Sequence, residues 1–139
     1  MSSIYQRQGM RLPRLQHVSL PIRDGAQESI RAFYGELLGL EEKLVPAILR
    51  SKGLVWFAAG DGEMELHFIP DSYLPHPEEG RHFCLEVNNL DEYQQRLTSA
   101  GYPLIEAAPI PGRPRIFTID PCGNRLELTT IESDYQQAE

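Results

Sequence analysis

The chain has 139 residues, a length typical of one domain with its own hydrophobic core. Its hydrophobic share of 41% and charged share of 24% are ordinary for a globular protein and argue against a disordered or fibrous chain. The formal net charge of −7 disfavours a protein that neutralises nucleic-acid phosphates, so we expect a small-molecule partner and no nucleic acid.

The sequence gives no sign of a membrane or secretory segment. No apolar run is long enough to cross a bilayer, and the first residues lack a signal core, so we expect a cytoplasmic protein with no membrane partner. Cys84 and Cys122 do not have the spacing of a disulfide framework or a zinc ribbon, and we expect two free thiols. We expect flexible tails over residues 1–14 and 132–139 and a single domain over residues 15–131.

The first half of the domain reads as a strand, a helix and three further strands. The opening strand, Leu15 to Ile22, carries His17 near its start. Apolar residues recur at three- and four-residue spacing from Ile30 to Leu37, which predicts a helix, and Gly39 is placed to end it. The three further strands are predicted at about 41–48, 53–59 and 63–69.

The second half repeats this order after a linker over residues 70–80 that is rich in proline and acid. Its opening strand carries His82, and the helix that follows has Asn88 and Asn89 to cap it and Gly101 as a stop. The three further strands are predicted at about 103–108, 115–119 and 125–130. We expect Glu65 and Glu127 to occupy matching places in the closing strands of the two halves.

Polar side chains of these strands are predicted to share one surface. Residues two apart in a strand face the same side of a sheet, and each of four strands has one apolar and one polar face. If the helices cover the apolar faces, the polar faces line one concave surface. That surface carries His17, Glu65, His67, His82 and Glu127.

Two imidazoles and one or two carboxylates from separate strands suit a divalent metal ion with open coordination positions. One polar side chain on a sheet is usually only solvated, so no single member of the set carries the argument. The placement of His17 with His82, and of Glu65 with Glu127, at matching sites of the repeat favours a metal site.

From about Leu15 to Ile131 the sequence resembles the vicinal-oxygen-chelate superfamily, also called the glyoxalase, bleomycin-resistance and extradiol-dioxygenase superfamily. Together the resembling segments are specific, although each alone is weak. They are Leu15–Leu20, Ala32–Leu40, Met64–His67, His82–Val87 and Asp120–Leu128. At Cys122 the last segment departs from the usual Asp-Pro-Asp-Gly-Asn turn, and we expect this turn to be exposed.

The resemblance implies an α+β fold of two tandem βαβββ modules, whose curled mixed sheets surround a metal-binding cup with the helices outside. It implies one divalent ion (Ni, Zn, Fe or Mn) bound by His17, His82 and Glu127. Glu65 matches the fourth ligand position of glyoxalase-like lyases, and His67 is its rival. Neighbouring side chains expected to contact substrate or support the ligands are His67, Ser19, Arg125 and Cys84. Aromatic surface in the cup is expected from Trp56, Phe57, Tyr102 and Phe117.

The resemblance also implies a reaction class. With Glu65 and Glu127 as catalytic carboxylates, the protein is expected to be a glyoxalase-like lyase or isomerase that transfers a proton on a small oxygen-rich substrate chelated by two adjacent oxygens. The alternatives are an extradiol ring-cleaving dioxygenase and an antibiotic-resistance protein, either a thiol transferase or a metal-free drug binder. We expect a homodimer, whose modules pair either within one chain or between chains.

Overall fold

The structure is a computed structural model, and it describes residues 12–61 and 63–137. Most of the predicted N-terminal tail therefore lies outside the described residues. Within these ranges no helix is both long enough and apolar enough to cross a bilayer.

Two four-stranded mixed sheets, one from each half of the chain, confirm the predicted α+β fold. The first sheet has the order β1-β4-β3-β2, and the second has the order β5-β8-β7-β6. In each, the opening strand runs parallel to the closing strand, while the remaining pairs are antiparallel. The strands are β1 (His17–Ile22), β2 (Glu42–Lys43), β3 (Val55–Ala58), β4 (Glu65–Pro70), β5 (His82–Glu86), β6 (Ile105–Glu106), β7 (Arg115–Ile119) and β8 (Arg125–Thr129).

The second strand of each module is much shorter than predicted. Strand β2 ends at Lys43, and Ala47–Lys52 form a 3-10 helix where the sequence predicted further strand. Strand β6 is likewise confined to Ile105–Glu106. Prolines bound both pieces, with Pro46 after β2 and Pro103 before β6, and proline has no N–H to donate to a strand ladder.

The helices lie where the periodicity predicts, but the first has an irregular geometry. Helix α1 (Gln27–Ile30) continues as a π-helical segment over Arg31–Leu37. The N–H of Leu38 donates to the carbonyl of Phe33 at 3.0 Å, a bond that spans five residues. The second helix, α2 (Leu90–Ser99), is regular, and the Asn89 side chain caps it as predicted by accepting from an amide N–H of the first turn.

One hydrophobic core joins the two modules. Phe33 and Tyr34 of the π-helical segment are fully buried, and Phe33 meets the ring of Tyr102 edge-on at 4.7 Å. The apolar faces of the closing strands complete this core with Leu66, Phe68, Leu126 and Leu128. The helices and the apolar strand faces therefore pack together, which leaves the polar faces of both sheets on the other side.

A buried polar contact also connects the modules. The Tyr34 hydroxyl donates to Asp120 Oδ2 at 2.7 Å, and the Asn124 side chain donates to the same carboxylate at 3.0 Å. Asn124 also reaches the carbonyl of Pro21 in β1 at 2.9 Å. The turn over residues 120–124 is therefore built into the core, and Cys122, which we expected on an exposed turn, is only 2% exposed.

Burial has a clear electrostatic effect on this contact. Desolvation raises the pKa of the Asp120 carboxyl, against the hydrogen bonds that lower it. Desolvation and the nearby Asp120 raise the pKa of the Tyr34 phenol well above its ordinary value of 10.0. The second effect keeps the phenol neutral, so its hydroxyl donates a hydrogen bond to the Asp120 carboxyl group.

Tyr34→Phe is predicted to lower the free energy of unfolding by about 1–3 kcal/mol, because it leaves a buried carboxylate without one of its donors. Urea unfolding at neutral pH measures the change. Tyr102→Phe is the matched control, since its hydroxyl makes no hydrogen bond with the described residues.

The pH dependence gives a second measurement of the same contact. Because the folded-state pKa of Tyr34 lies above its unfolded value, its stabilising contribution is complete below about pH 10 and is lost as the pH rises further. The Tyr34→Phe variant should lose stability less steeply in that range. Equal alkaline slopes in the two proteins would contradict this account.

Candidate metal site

The concave face of the first sheet carries a cluster of five polar and aromatic side chains, which we call the first cluster. Its members are His17 on β1, Lys43 on β2, Trp56 on β3, and Glu65 and His67 on β4. They share a face because strand side chains alternate and because Trp56 pairs with both Lys43 and His67 across the sheet. The imidazole of His67 lies between two rings, with Trp56 at 3.9 Å and His17 at 4.1 Å.

Both carboxylate oxygens of Glu65 already have partners in this cluster. Glu65 Oε2 accepts from the Lys43 ammonium, and Glu65 Oε1 lies 2.7 Å from Nε2 of His67. Hydrogen bonds from Lys43 and His67 lower the pKa of the Glu65 carboxyl to about 2. A carboxylate with so low a pKa is a weak base, which bears on the catalytic role predicted for Glu65.

The concave face of the second sheet carries a second cluster, made of His82 on β5, Glu127 on β8, and Arg115 and Phe117 on β7. Nε2 of His82 lies 3.1 Å from Glu127 Oε1, and the Arg115 guanidinium lies 3.4 Å from Glu127 Oε2. The Phe117 ring meets the His82 ring edge-on at 4.7 Å. Glu127 is buried, so it depends on these two partners for its charge.

In both clusters the tautomer of the first-strand histidine is fixed by a hydrogen bond at Nδ1. His82 Nδ1 donates to the carbonyl of Gly80 at 2.7 Å, and His17 Nδ1 lies 2.7 Å from Oε1 of Gln16. Each bond places a proton on Nδ1 and makes Nε2 the nitrogen that could bind a metal ion, and in His82 this nitrogen lies 3.1 Å from Glu127 Oε1. This is the arrangement in which a histidine is ready to bind a metal ion.

Three further predicted site residues flank the clusters. Ser19 is exposed and pairs with His67 across β1 and β4. Cys84 pairs with Glu127 across β5 and β8, and burial together with the Glu127 charge raises the pKa of its thiol to about 12. Cys84 is therefore a poor nucleophile at neutral pH.

Arg125 supports the linker between the modules. Its guanidinium donates to the carbonyls of Pro77 and Glu79, each at 3.0 Å, and lies over the Phe117 ring at 5.2 Å. These contacts occupy N–H donors of the Arg125 guanidinium, so fewer donors remain to bind and orient a substrate.

The structure does not bring the two clusters together within one chain. Among residues 12–61 and 63–137, no three His, Cys, Asp or Glu side chains are arranged to hold a metal ion. Neither a hydrogen bond nor a ring contact joins the first cluster to the second in this part of the chain. A cavity of about 720 Å³ between the sheet edges is lined by His17 and Glu65 on one side and by His82 and Cys84 on the other, with apolar side chains between them.

Strand register corrects the predicted equivalence of Glu65 and Glu127. In the first sheet His17 pairs with Glu65 and Ser19 with His67, whereas in the second His82 pairs with Arg125 and Cys84 with Glu127. Counted from the two first-strand histidines, Glu65 therefore corresponds to Arg125, and His67 corresponds to Glu127. The sequence repeat matches the two Glu-Leu pairs, which differ by two residues in this register.

The model of the Glyoxalase/Bleomycin resistance protein/Dioxygenase superfamily matches residues 14–128. The chain belongs to this superfamily. None of the curated proteins matches it.

Solved structures of the superfamily agree with this assignment. A glyoxalase family protein from Bacillus anthracis is 30% identical over 87% of this chain and 97% of its own, with a TM-score of 0.77. Lactoylglutathione lyase from Agrobacterium tumefaciens is 25% identical over 86% and 96% of the two chains, with a TM-score of 0.62. The fold alone is shared with FosX, a fosfomycin resistance protein from Listeria monocytogenes, which is 18% identical over 92% and 98% of the chains with a TM-score of 0.69.

Other predictions about the superfamily cup hold only in part. Trp56 and Phe117 lie on the concave faces beside the two histidine clusters. Phe57 instead is fully buried against Phe68, and Tyr102 packs in the core against the π-helical segment. The prediction of Phe57 was wrong because adjacent residues of one strand face opposite sides, so Trp56 and Phe57 do not both line the cup.

Sequence reasoning did not predict the ion pairs that Lys43 and Arg115 form. Lys43 and Arg115 each contact the carboxylate of their own sheet, Glu65 and Glu127. Their positions on the polar faces of β2 and β7 were the available signal. The ion pairs were hidden because each joins residues that are distant in the sequence.

His67→Ala is predicted to shift the emission of Trp56 to longer wavelength, because it removes the ring stacked on the indole and exposes that face to water. Trp56 is the single tryptophan of the chain, so steady-state fluorescence reads this contact directly. His76→Ala, in the linker, is the control and should leave the spectrum unchanged. An unchanged spectrum in the first variant would mean that the stacking does not exist in solution.

Proposed function

We propose that this protein is a metal-dependent enzyme of the glyoxalase-like lyase or isomerase type, which acts on a small oxygen-rich molecule through two adjacent oxygens. The observation that carries the proposal is that His17 and His82 each engage Nδ1 in a hydrogen bond, which makes Nε2 the nitrogen for a metal ion. Glu127, beside His82 Nε2, supplies the acidic ligand. We propose one divalent ion, and this donor set suits Ni, Zn, Fe or Mn.

A bound ion of this kind would stabilise negative charge that develops on a chelated substrate oxygen. The residues of the chain then position and protect the reaction. The Arg115 guanidinium, 3.4 Å from Oε2 of Glu127, orients this buried carboxylate beside His82, where it could accept or return a proton. Trp56 and Phe117 flank the clusters with aromatic surface that excludes water from a bound ligand.

A second copy of the chain would complete the site. The sheets end at β1 and β5, and these edge strands have no strand partner on their outer sides within the described residues. Apolar side chains of these edges are only partly buried, whereas those of the closing strands beside them are fully buried. They are Val18, Leu20, Phe83, Leu85 and Val87. Pairing β1 of one copy with β5 of another would cover these side chains and bring His17 to the His82 and Glu127 of the partner.

The proposed reaction class depends on the number of protein ligands. An extradiol dioxygenase needs a three-ligand site that leaves room for both substrate and oxygen. Here the first cluster offers a further ligand beside His17, from Glu65 or His67, which leaves room for a chelated substrate and favours lyase or isomerase chemistry. A metal-free drug binder does not need a set of metal ligands, whereas a thiol transferase that acts on an antibiotic would keep the same set.

The cellular setting that we propose is the cytoplasm. Both cysteines are free in the structure, Cys84 exposed and Cys122 buried, as expected of a protein in a reducing compartment.

His82→Ala and Glu127→Ala are each predicted to remove bound metal and leave the fold intact, because both side chains lie on the concave face outside the core. Metal analysis of protein purified without chelators measures the loss, and circular dichroism follows the fold. His76→Ala and Glu132→Ala, at exposed positions away from both clusters, are the matched controls. Unchanged metal content in both test variants would refute the site.

Mixed dimers are predicted to distinguish a site shared between copies from a site within one chain. Co-expressed His17→Ala and His82→Ala chains with different tags would form a dimer in which one of the two shared sites keeps both histidines. We expect the doubly tagged dimer to hold about half the metal of the wild-type dimer, while each variant alone holds none. A mixed dimer without metal would mean that the ligands come from one chain.

A further inference from the structure

We infer that His67, rather than Glu65, is the second metal ligand of the first module, and that Lys43 is the positioning residue that keeps Glu65 off the ion. The inference rests on the proposed function, because it concerns the ligands of the same site. It assigns a role to Lys43. The protein ligands of the ion would then be three imidazoles and one carboxylate, instead of two imidazoles and two carboxylates.

Register is the first step of the argument. In the second sheet, the proposed ligands His82 and Glu127 are diagonal neighbours, since Glu127 pairs with Cys84, two residues beyond His82 on the same face. In the first sheet, the residue in the same diagonal relation to His17 is His67, which pairs with Ser19. If the two modules present their ligands symmetrically, His67 is the partner of His17.

The state of Glu65 is the second step. One of its oxygens is taken by Lys43 and the other by His67. A metal ion bound to Oε2 would replace the hydrogen bond from Lys43, and one bound to Oε1 would replace the hydrogen bond with His67. Water could not easily compensate for the loss, because the Glu65 side chain is only 10% exposed. The Lys43 ammonium also repels a cation placed beside Glu65. Both effects favour Glu65 as a supporting carboxylate.

The environment of His67 is the third step. Its Nε2 faces Glu65, and Nδ1 has no hydrogen-bond partner among the described residues. The ring stacks on Trp56 and on His17, so one ion can be bound by both histidines only when the His17 ring turns out of the stack. A histidine whose one nitrogen is held by a carboxylate and whose other nitrogen is free is the usual form of a metal-binding histidine with its supporting group.

Lys43 connects these observations. Strand β2 places it opposite Trp56, in the row that runs from Lys43 through Trp56 and His67 to Ser19. From there its ammonium reaches Glu65 and holds the carboxylate that in turn holds His67. In the other module the corresponding position is Ile105, opposite Phe117, so only the first module has a cation at this position.

The test counts imidazole ligands on protein loaded with Cu²⁺, by pulsed electron paramagnetic resonance. All chains carry His76→Ala, so that the linker histidine does not contribute. We expect three imidazoles in this background, two after His67→Gln or His67→Asn, and three after Glu65→Gln. A count of two in the background chain, unchanged by the His67 variants, would overturn the inference and return Glu65 to the shell.

Variants of Lys43 test its positioning role in the same assay. Lys43→Met should free Glu65 to compete for the ion and lower the imidazole count below three, and Lys43→Arg should keep the count at three. Adding Glu65→Gln to Lys43→Met should restore three, because the competing carboxylate is gone. Lys52→Met, on the 3-10 helix, is the matched control. A count of three in Lys43→Met would refute the role of Lys43.

Failure of the inference and failure of the proposed function give different results. A folded background chain that binds no stoichiometric Cu²⁺ would contradict the metal-dependent function itself. Stoichiometric Cu²⁺ with two imidazoles would leave that function standing and contradict only the assignment of His67. Circular dichroism of each variant confirms that the comparison is made between folded proteins.

Discussion

Parallel pairing between the first and last strand of each module is the constraint on which the site depends. It places β1 beside β4 and β5 beside β8, so that residues from the two ends of a module become neighbours on one concave face. A change of two residues in register keeps every side chain on its face but replaces one neighbour by another. The identity of the neighbour of His17, Glu65 or His67, is therefore decided by backbone hydrogen bonds.

Each concave face combines its carboxylate with a cation and an imidazole. Glu65 contacts Lys43 and His67, and Glu127 contacts Arg115 and His82. Half-buried carboxylates need such partners because desolvation penalises an isolated charge. The two sheets differ in how firmly the carboxylate is held, since an ammonium hydrogen bond holds Glu65 while Arg115 lies at the longer distance of 3.4 Å from Glu127. For this reason we propose Glu127 as the carboxylate that binds the metal ion and transfers the proton.

The modules are joined through the faces that carry no proposed ligands. The core packs the π-helical segment against the second module, and Tyr34 reaches Asp120 across the junction. This arrangement fixes the two concave faces relative to one another without bringing their clusters into contact. The junction is buried, while the polar clusters remain open for a ligand and, as we propose, for a second copy of the chain.

By itself the sequence determined the paired modules, the strand and helix order, the capping by Asn89 and the polar faces that carry His17, His67, His82, Glu65 and Glu127. These follow from local periodicity, which depends on residues close together in the chain. Tertiary structure decided that Phe57, Tyr102 and Cys122 belong to the core, that Lys43 and Arg115 pair with the carboxylates, and that His67 corresponds to Glu127. The physical reason is that register and ion pairing join residues from different strands, and the side-chain alternation within each strand is the same for either register.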